Sequence, residues 1–137
     1  MTSLVAVKGM VGEKQRILVV DDEQDIALVL QMMLNDYYDV DAYTNPAEAL
    51  SIVKPDKYDL VLFDYLMPEM NGYEFYRKLK QIDPEVKICM MSAYEAIPTD
   101  DKDSQTSPPF DSKFVLKKPF DLDKILSKLK EILNDKQ

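Results

Sequence analysis

Several side chains able to do chemistry each stand directly after a short apolar run. Asp21 and Asp22 follow Ile17-Leu18-Val19-Val20, and Asp64 follows Leu60-Val61-Leu62-Phe63. Ser92 and Ala93 follow the run Val86–Met91, and Lys117 and Lys118 follow Phe114-Val115-Leu116. Three carboxylates brought together repel, so a cation is needed to keep all of them ionised. Oxygen ligands without His or Cys suit Mg²⁺ or Ca²⁺ rather than Zn²⁺. Few protein ligands and open positions favour Mg²⁺, which keeps waters and shares phosphate oxygens. A lysine opposite would balance a phosphoryl group as a point charge. A carboxylate that attacks phosphorus forms an acyl phosphate, a mode of covalent catalysis.

Taken singly, each residue has a plainer reading. Asp21 or Asp22 could cap a helix, Asp64 could be a loop acid, Ser92 a turn residue and Lys118 a solvated charge. What sets these readings aside is placement. In parallel sheets, ligands bind at the carboxyl ends of the strands, and all five residues fall there.

The elements that would place them read as follows. Strands are expected at Ile17–Val20, Val40–Tyr43, Leu60–Phe63, Val86–Met91 and Phe114–Leu116, short and mostly apolar, as strands buried on both faces are. A helix is expected over Asp25–Asp36, with Ile26, Val29, Leu30, Met33 and Leu34 at helical spacing. Asn45 followed by Pro46 starts a second helix that runs to about Lys54. Met67–Gly72 is a loop, Tyr73–Gln81 a third helix, and Pro84 marks its end. Asp121 caps a last helix with a stripe at Leu122, Ile125, Leu126, Leu129 and Leu133. Met32, Met33, Met90 and Met91 are expected as core filler, and Cys89 as a buried residue of the fourth strand. Alternating strands and helices imply an α/β fold with a parallel sheet between helix layers.

The 137 residues, 46% of them apolar, fit one domain: a tail over 1–15 and a folded unit over 16–137. No apolar run approaches the ~18 residues of a membrane helix, and no signal peptide is apparent. One cysteine suits a reducing cytoplasm. The net charge of −8 and the lack of a basic patch argue against direct nucleic-acid binding and favour protein partners or a hard cation. The chain has no histidine, so it cannot use His catalysis or supply its own phosphohistidine.

Four blocks resemble the signatures of response regulator receiver domains. They are Ile17–Glu23, the run Asp64-Tyr65-Leu66-Met67-Pro68-Glu69-Met70-Asn71-Gly72, Met91-Ser92-Ala93 and Lys118-Pro119-Phe120. The resemblance implies a flavodoxin-like, doubly wound five-stranded parallel sheet of order 2-1-3-4-5. It implies that Asp64 is the phosphoacceptor, that Asp22 ligates Mg²⁺ directly and Asp21 mostly through water, and that the Leu66 carbonyl is a further ligand. Ser92 matches the switch hydroxyl, and Lys118 the lysine that precedes a proline, often by a cis peptide; Lys117 is the lesser candidate. The implied donor is a histidine kinase or histidine phosphotransfer protein, and the output a downstream target protein. On this reading the chain is a phosphorylation target that assists its own transfer and dephosphorylation, not an enzyme. It ends soon after the last helix, so output is expected through another protein.

Two departures bear on output. The family's switch aromatic usually lies three residues before the lysine, where this chain has Val115; Phe114 lies four before. Either the strand carries a bulge or that switch is absent. Glu95–Ser112 is polar and proline-rich where the family's fourth helix should lie, so that helix is expected to be weak or missing, with Thr99–Pro109 as a loop. The sheet face left uncovered there would suit a homodimer or a target. Rival readings fare worse. A flavin carrier's phosphate loop would not be Asp21-Asp22-Glu23, and a haloacid-dehalogenase-type phosphatase needs a second Asp where Leu66 stands. The runner-up is a receiver-fold interaction module that works without phosphorylation.

Overall fold

The computed structural model describes residues 14–93, 114–119 and 121–134. The expected tail, apart from Lys14 and Gln15, lies outside the described residues. So do the Glu95–Ser112 segment and the Thr99–Pro109 loop within it.

Five parallel strands form one sheet in the order β2-β1-β3-β4-β5. They are β1 (Arg16–Val20), β2 (Asp39–Tyr43), β3 (Leu60–Asp64), β4 (Lys87–Ser92) and β5 (Val115–Lys117). Four described helices accompany them: α1 (Gln24–Leu34), α2 (Pro46–Ile52), α3 (Gly72–Ile82) and α4 (Leu122–Leu133). The order and the flavodoxin-like winding are those the family resemblance implied.

The central strands are apolar through Ile17–Val20, Leu60–Phe63 and Ile88–Met91 because both faces of the sheet are covered. Ile17, Val19, Leu60, Leu62, Cys89 and Met91 face the layer of α1 and α4. Leu18, Val20, Val61, Phe63 and Met90 face the layer of α2 and α3. Phe63 and Phe75 are fully buried with ring centroids 4.9 Å apart, which fixes α3 over the end of β3. Losing either ring would cost on the order of 3–5 kcal/mol.

Three helix starts follow their sequence signals. The side chains of Asn45, Asn71 and Asp121 accept from the N–H groups of Glu48, Glu74 and Lys124, satisfying donors the helix leaves open. The start of α1 does not follow the plainer reading of Asp21 or Asp22 as a cap. Its N-cap is Glu23, without a side-chain cap, and neither Asp21 nor Asp22 serves, so both carboxylates are released from that structural task.

The face of α1 also needs correction. Ala27, Leu30 and Leu34 are its buried residues. Val29 and Met32, the latter expected in the core, are 50% and 67% exposed. The helix is apolar on nearly every side, so periodicity alone could not choose its inner face.

Strand β5 pairs with β4 in unbroken register, Met90 with Val115, Met91 with Leu116 and Ser92 with Lys117. No extra residue is inserted, so the bulge that would bring Phe114 to the aromatic position is absent. Val115 holds that position, and Phe114 packs against both core clusters at the sheet edge.

Candidate phosphoacceptor and metal site

The ladder carries three backbones one rung beyond the strands. The Asp21 N–H donates to the Tyr43 carbonyl at 3.1 Å, Tyr65 to Met91 at 2.8 Å and Lys118 to Ser92 at 2.7 Å. Each rung ends beside a residue singled out from the sequence, so the sheet itself sets their spacing.

Asp21, Asp22 and Asp64 each offer a carboxylate oxygen, and these atoms lie within 4.8 Å of one another. Asp21 is fully buried and Asp64 nearly so; Asp22 is partly buried. The Lys118 ammonium stands 3.3 Å from Asp64 Oδ1 and 3.6 Å from Asp21 Oδ2. Lys117 is exposed on the strand, so the residue that precedes Pro119 is the one brought to the carboxylates. The Lys118–Pro119 peptide is cis. Ser92 is buried at the end of β4. Leu66 lies two residues past Asp64, with its side chain 53% exposed.

Burial pushes the Asp64 carboxyl up to about 6, aided by Asp21 and Asp22 and opposed by Lys118. Asp21 is raised too, chiefly by burial, while the Glu23 N–H and Lys118 pull it down. These directions describe a pocket short of positive charge. Geometry agrees. Asp21 Oδ1 accepts from the Glu23 N–H at 3.0 Å. Asp21 Oδ2 is completely buried without a hydrogen-bond partner, and at 3.6 Å from the ammonium it sits beyond a good hydrogen bond. A buried carboxylate oxygen in that condition is costly unless a cation meets it. The donor set, all oxygen, is compatible with Mg²⁺.

One positioning residue went unassigned in the sequence beyond its place in a motif. Gly72 donates its N–H to the Tyr65 carbonyl at 2.7 Å, closing the loop behind Asp64. A Cβ built there would lie 2.6 Å from Met90 Sδ and 3.0 Å from Tyr65 Cα. Its signal was Asn71-Gly72 at the start of an amphipathic helix. The tight contact with Met90, a residue of a different strand, leaves no local trace.

Residues 17–130 match the family described as response regulator receiver domain. The chain belongs to the response regulator receiver family. This receiver is similar to the sporulation initiation phosphotransferase F of Bacillus subtilis (strain 168), 32% identical over 87% of this chain and 94% of that protein. It is similar to the response regulator receiver protein CpdR of Brucella abortus (strain 2308), 33% identical over 87% of this chain and 97% of that one. Against the uncharacterized transcriptional regulatory protein YkoG of Bacillus subtilis, 32% identical, it spans 52% of the longer chain. Among solved structures, the CheY-like receiver of Methanospirillum hungatei JF-1 superposes with a TM-score of 0.73 at 26% identity, covering 89% of this chain and 95% of that one. Among the described residues, no helix is long and apolar enough to cross a membrane.

Proposed function

We propose that this receiver accepts a phosphoryl group on Asp64 from a phosphohistidine of a histidine kinase or phosphotransfer protein, with Mg²⁺ present, and signals to a target by protein contact. The observation that carries this reading is the lysine bridge. Lys118 reaches both Asp64 and the otherwise unpartnered Oδ2 of Asp21. The name of the relative from Bacillus subtilis, a phosphotransferase covered almost end to end, supports it.

An Asp64 carboxylate oxygen attacks phosphorus, the bond from phosphorus to the donor's imidazole nitrogen breaks, and that nitrogen leaves with the bond's electron pair. The Asp64 acyl phosphate is the product. Asp64 must be ionised to attack, and Lys118 favours that form against burial. The Lys118 ammonium also faces the oxygen where negative charge accumulates, and fixed charge in a dry site costs no reorganisation during reaction. Asp21, Asp22, Asp64 and the Leu66 carbonyl are the proposed holders of Mg²⁺. When bound, Mg²⁺ would neutralise phosphoryl oxygens and lower the repulsion among the carboxylates. Ser92 is assigned to hold the phosphoryl group once transferred.

On this reading the chain turns over no separate substrate. It assists its own phosphorylation and dephosphorylation. Cys89, its one thiol, is fully buried in β4 and fits a reducing cytoplasm.

The test is labelling by acetyl phosphate, and beryllofluoride binding, with and without Mg²⁺. Wild type should label only with the metal, and Asp64→Asn should not label. Full-strength labelling of Asp64→Asn would overturn the acceptor assignment. No labelling of wild type would leave the phosphorylation-independent interaction module as the better reading.

A further inference from the structure

The loop from Tyr65 to Gly72 carries the Leu66 carbonyl proposed as a metal ligand, and little of it is enclosed. Between its two ends only Met67 is buried, while Leu66, Pro68, Glu69 and Asn71 are exposed. Its placement therefore rests largely on the ends, and both are seated on consecutive residues of β4. At the start, Tyr65 donates its N–H to the Met91 carbonyl at 2.8 Å. At the finish, Met90 Sδ lies against the bare face of Gly72, where a Cβ would stand 2.6 Å from it. The Gly72 N–H ties the two ends together through the Tyr65 carbonyl at 2.7 Å.

A buried methionine is ordinarily filler, a flexible chain packed among other side chains. Met90 departs from that role in two respects. Its thioether meets backbone at Gly72, so its position is passed directly to the main chain of the loop. It also has little freedom to yield. It is fully buried, it lies in register between Phe63 and Val115, and Phe63 is braced by the Phe75 ring.

We propose that Met90 is a positioning residue for the metal site. Its sulfur sets the height of the Tyr65–Gly72 loop above the sheet, and with it the place of the Leu66 carbonyl. This rests on the reading of the carboxylate cluster as a Mg²⁺ site. Ser92, assigned to the phosphoryl group, stands two residues further along the same strand. One short stretch of β4 thus seats the metal loop and holds the transferred group.

Three variants of the full chain separate this role from core packing. Met90→Val ends short of the δ position and keeps a β-branched residue suited to a strand. Met90→Leu keeps a carbon where Sδ stands, at similar volume. Leu129→Ala truncates an equally buried side chain on the other face of the sheet. Calorimetric titration should show Met90→Val binding Mg²⁺ about tenfold more weakly, the loss usual when a group that orients a metal ligand is removed. Met90→Leu should bind like wild type, and so should Leu129→Ala despite its lower melting temperature. In the metal-free chains, exchange of the Gly72 amide relative to that of Leu62 should be faster in Met90→Val and unchanged in the other two. Removing the thioether also makes room, so Gly72→Ala should lower the melting temperature less in the Met90→Val background than alone; independent residues would give equal losses. Wild-type Mg²⁺ affinity in Met90→Val, or an equal loss in Leu129→Ala, would overturn the proposal. A wild-type chain that takes up no Mg²⁺ would overturn the reading of the site, whereas the Gly72 exchange would still uphold or refute the seating of the loop.

Discussion

Lys118 holds its ammonium 3.3 Å from Asp64 Oδ1 across the ends of two strands that are not neighbours. Strand β4 runs between them, and its last residue, Ser92, accepts the Lys118 N–H. The contact therefore depends on three strands at once. Removing the ammonium leaves burial and the neighbouring carboxylates unopposed at Asp64. In metal-free Lys118→Ala, the Asp64 carboxyl should titrate above its wild-type value of about 6. Carbon-13 NMR of the aspartate carboxyls would show it, and a downward or absent shift would contradict the assignment of Lys118 as the main counter-charge.

The same raised carboxyl links stability to pH. An acid raised on folding stabilises the folded chain fully below its unfolded value, here 3.8, and that contribution is lost as pH rises through about 6. At pH 7 without metal, ionised Asp64 thus costs at most about 3 kcal/mol. Asp64→Asn should be the more stable protein at pH 7, by up to that amount, and the difference should shrink towards pH 4. Urea unfolding of both proteins at the two pH values decides it.

Added Mg²⁺ should raise the melting temperature of wild type at pH 7 and do so much less at pH 4.5, where Asp64 is protonated. It should do little for Asp64→Asn at either pH, because binding stabilises only as far as it prefers the folded site. Equal stabilisation of both proteins would place the ion elsewhere.

A side chain at Gly72 is crowded on two sides. Gly72→Ala forces a Cβ to within 2.6 Å of Met90 Sδ and 3.0 Å of Tyr65 Cα, and the backbone side of that clash cannot rotate away. The loss should be about 1–3 kcal/mol, with slower acetyl phosphate labelling because the strained loop carries the residues just past Asp64. A variant as stable as wild type would show that the loop yields freely.

The acyl phosphate should be long-lived. Leu66 is apolar and cannot orient a water towards Asp64, and Tyr94, two residues past Ser92, is bulky. The double variant Leu66→Asn, Tyr94→Glu should lose its phosphoryl group faster, by about tenfold, equivalent to ~1.4 kcal/mol of barrier. An unchanged or slower decay would count against screening by these side chains.

The strands were legible because β1, β3 and most of β4 are apolar at successive positions, which a sheet covered on both faces demands. The acids of the site were legible because they interrupt those runs at their ends. The inner face of α1 was not, since Val29 and Met32 are as apolar as Leu30 and Leu34 and only tertiary packing separates them. Nor could local pattern reveal that Asp21 keeps one oxygen for Glu23 and leaves the other bare. The register of β5 decided a question the sequence left open. Phe114 is present, but one residue away from where an aromatic switch would stand.

The rungs from Asp21, Tyr65 and Lys118 into the neighbouring strands have a thermodynamic corollary. Amide protons in sheet centres exchange with solvent only when the whole domain opens, whereas those of surface loops exchange by local fraying. These three extend the ladder at its ends, so their exchange should follow the opening of the sheet more closely than that of surface loops does, and the reacting groups should share the cooperative transition of the sheet. Under denaturant, the capacity to take up a phosphoryl group should then disappear at the same midpoint as the fold itself, with no stage at which a folded chain carries a loosened site.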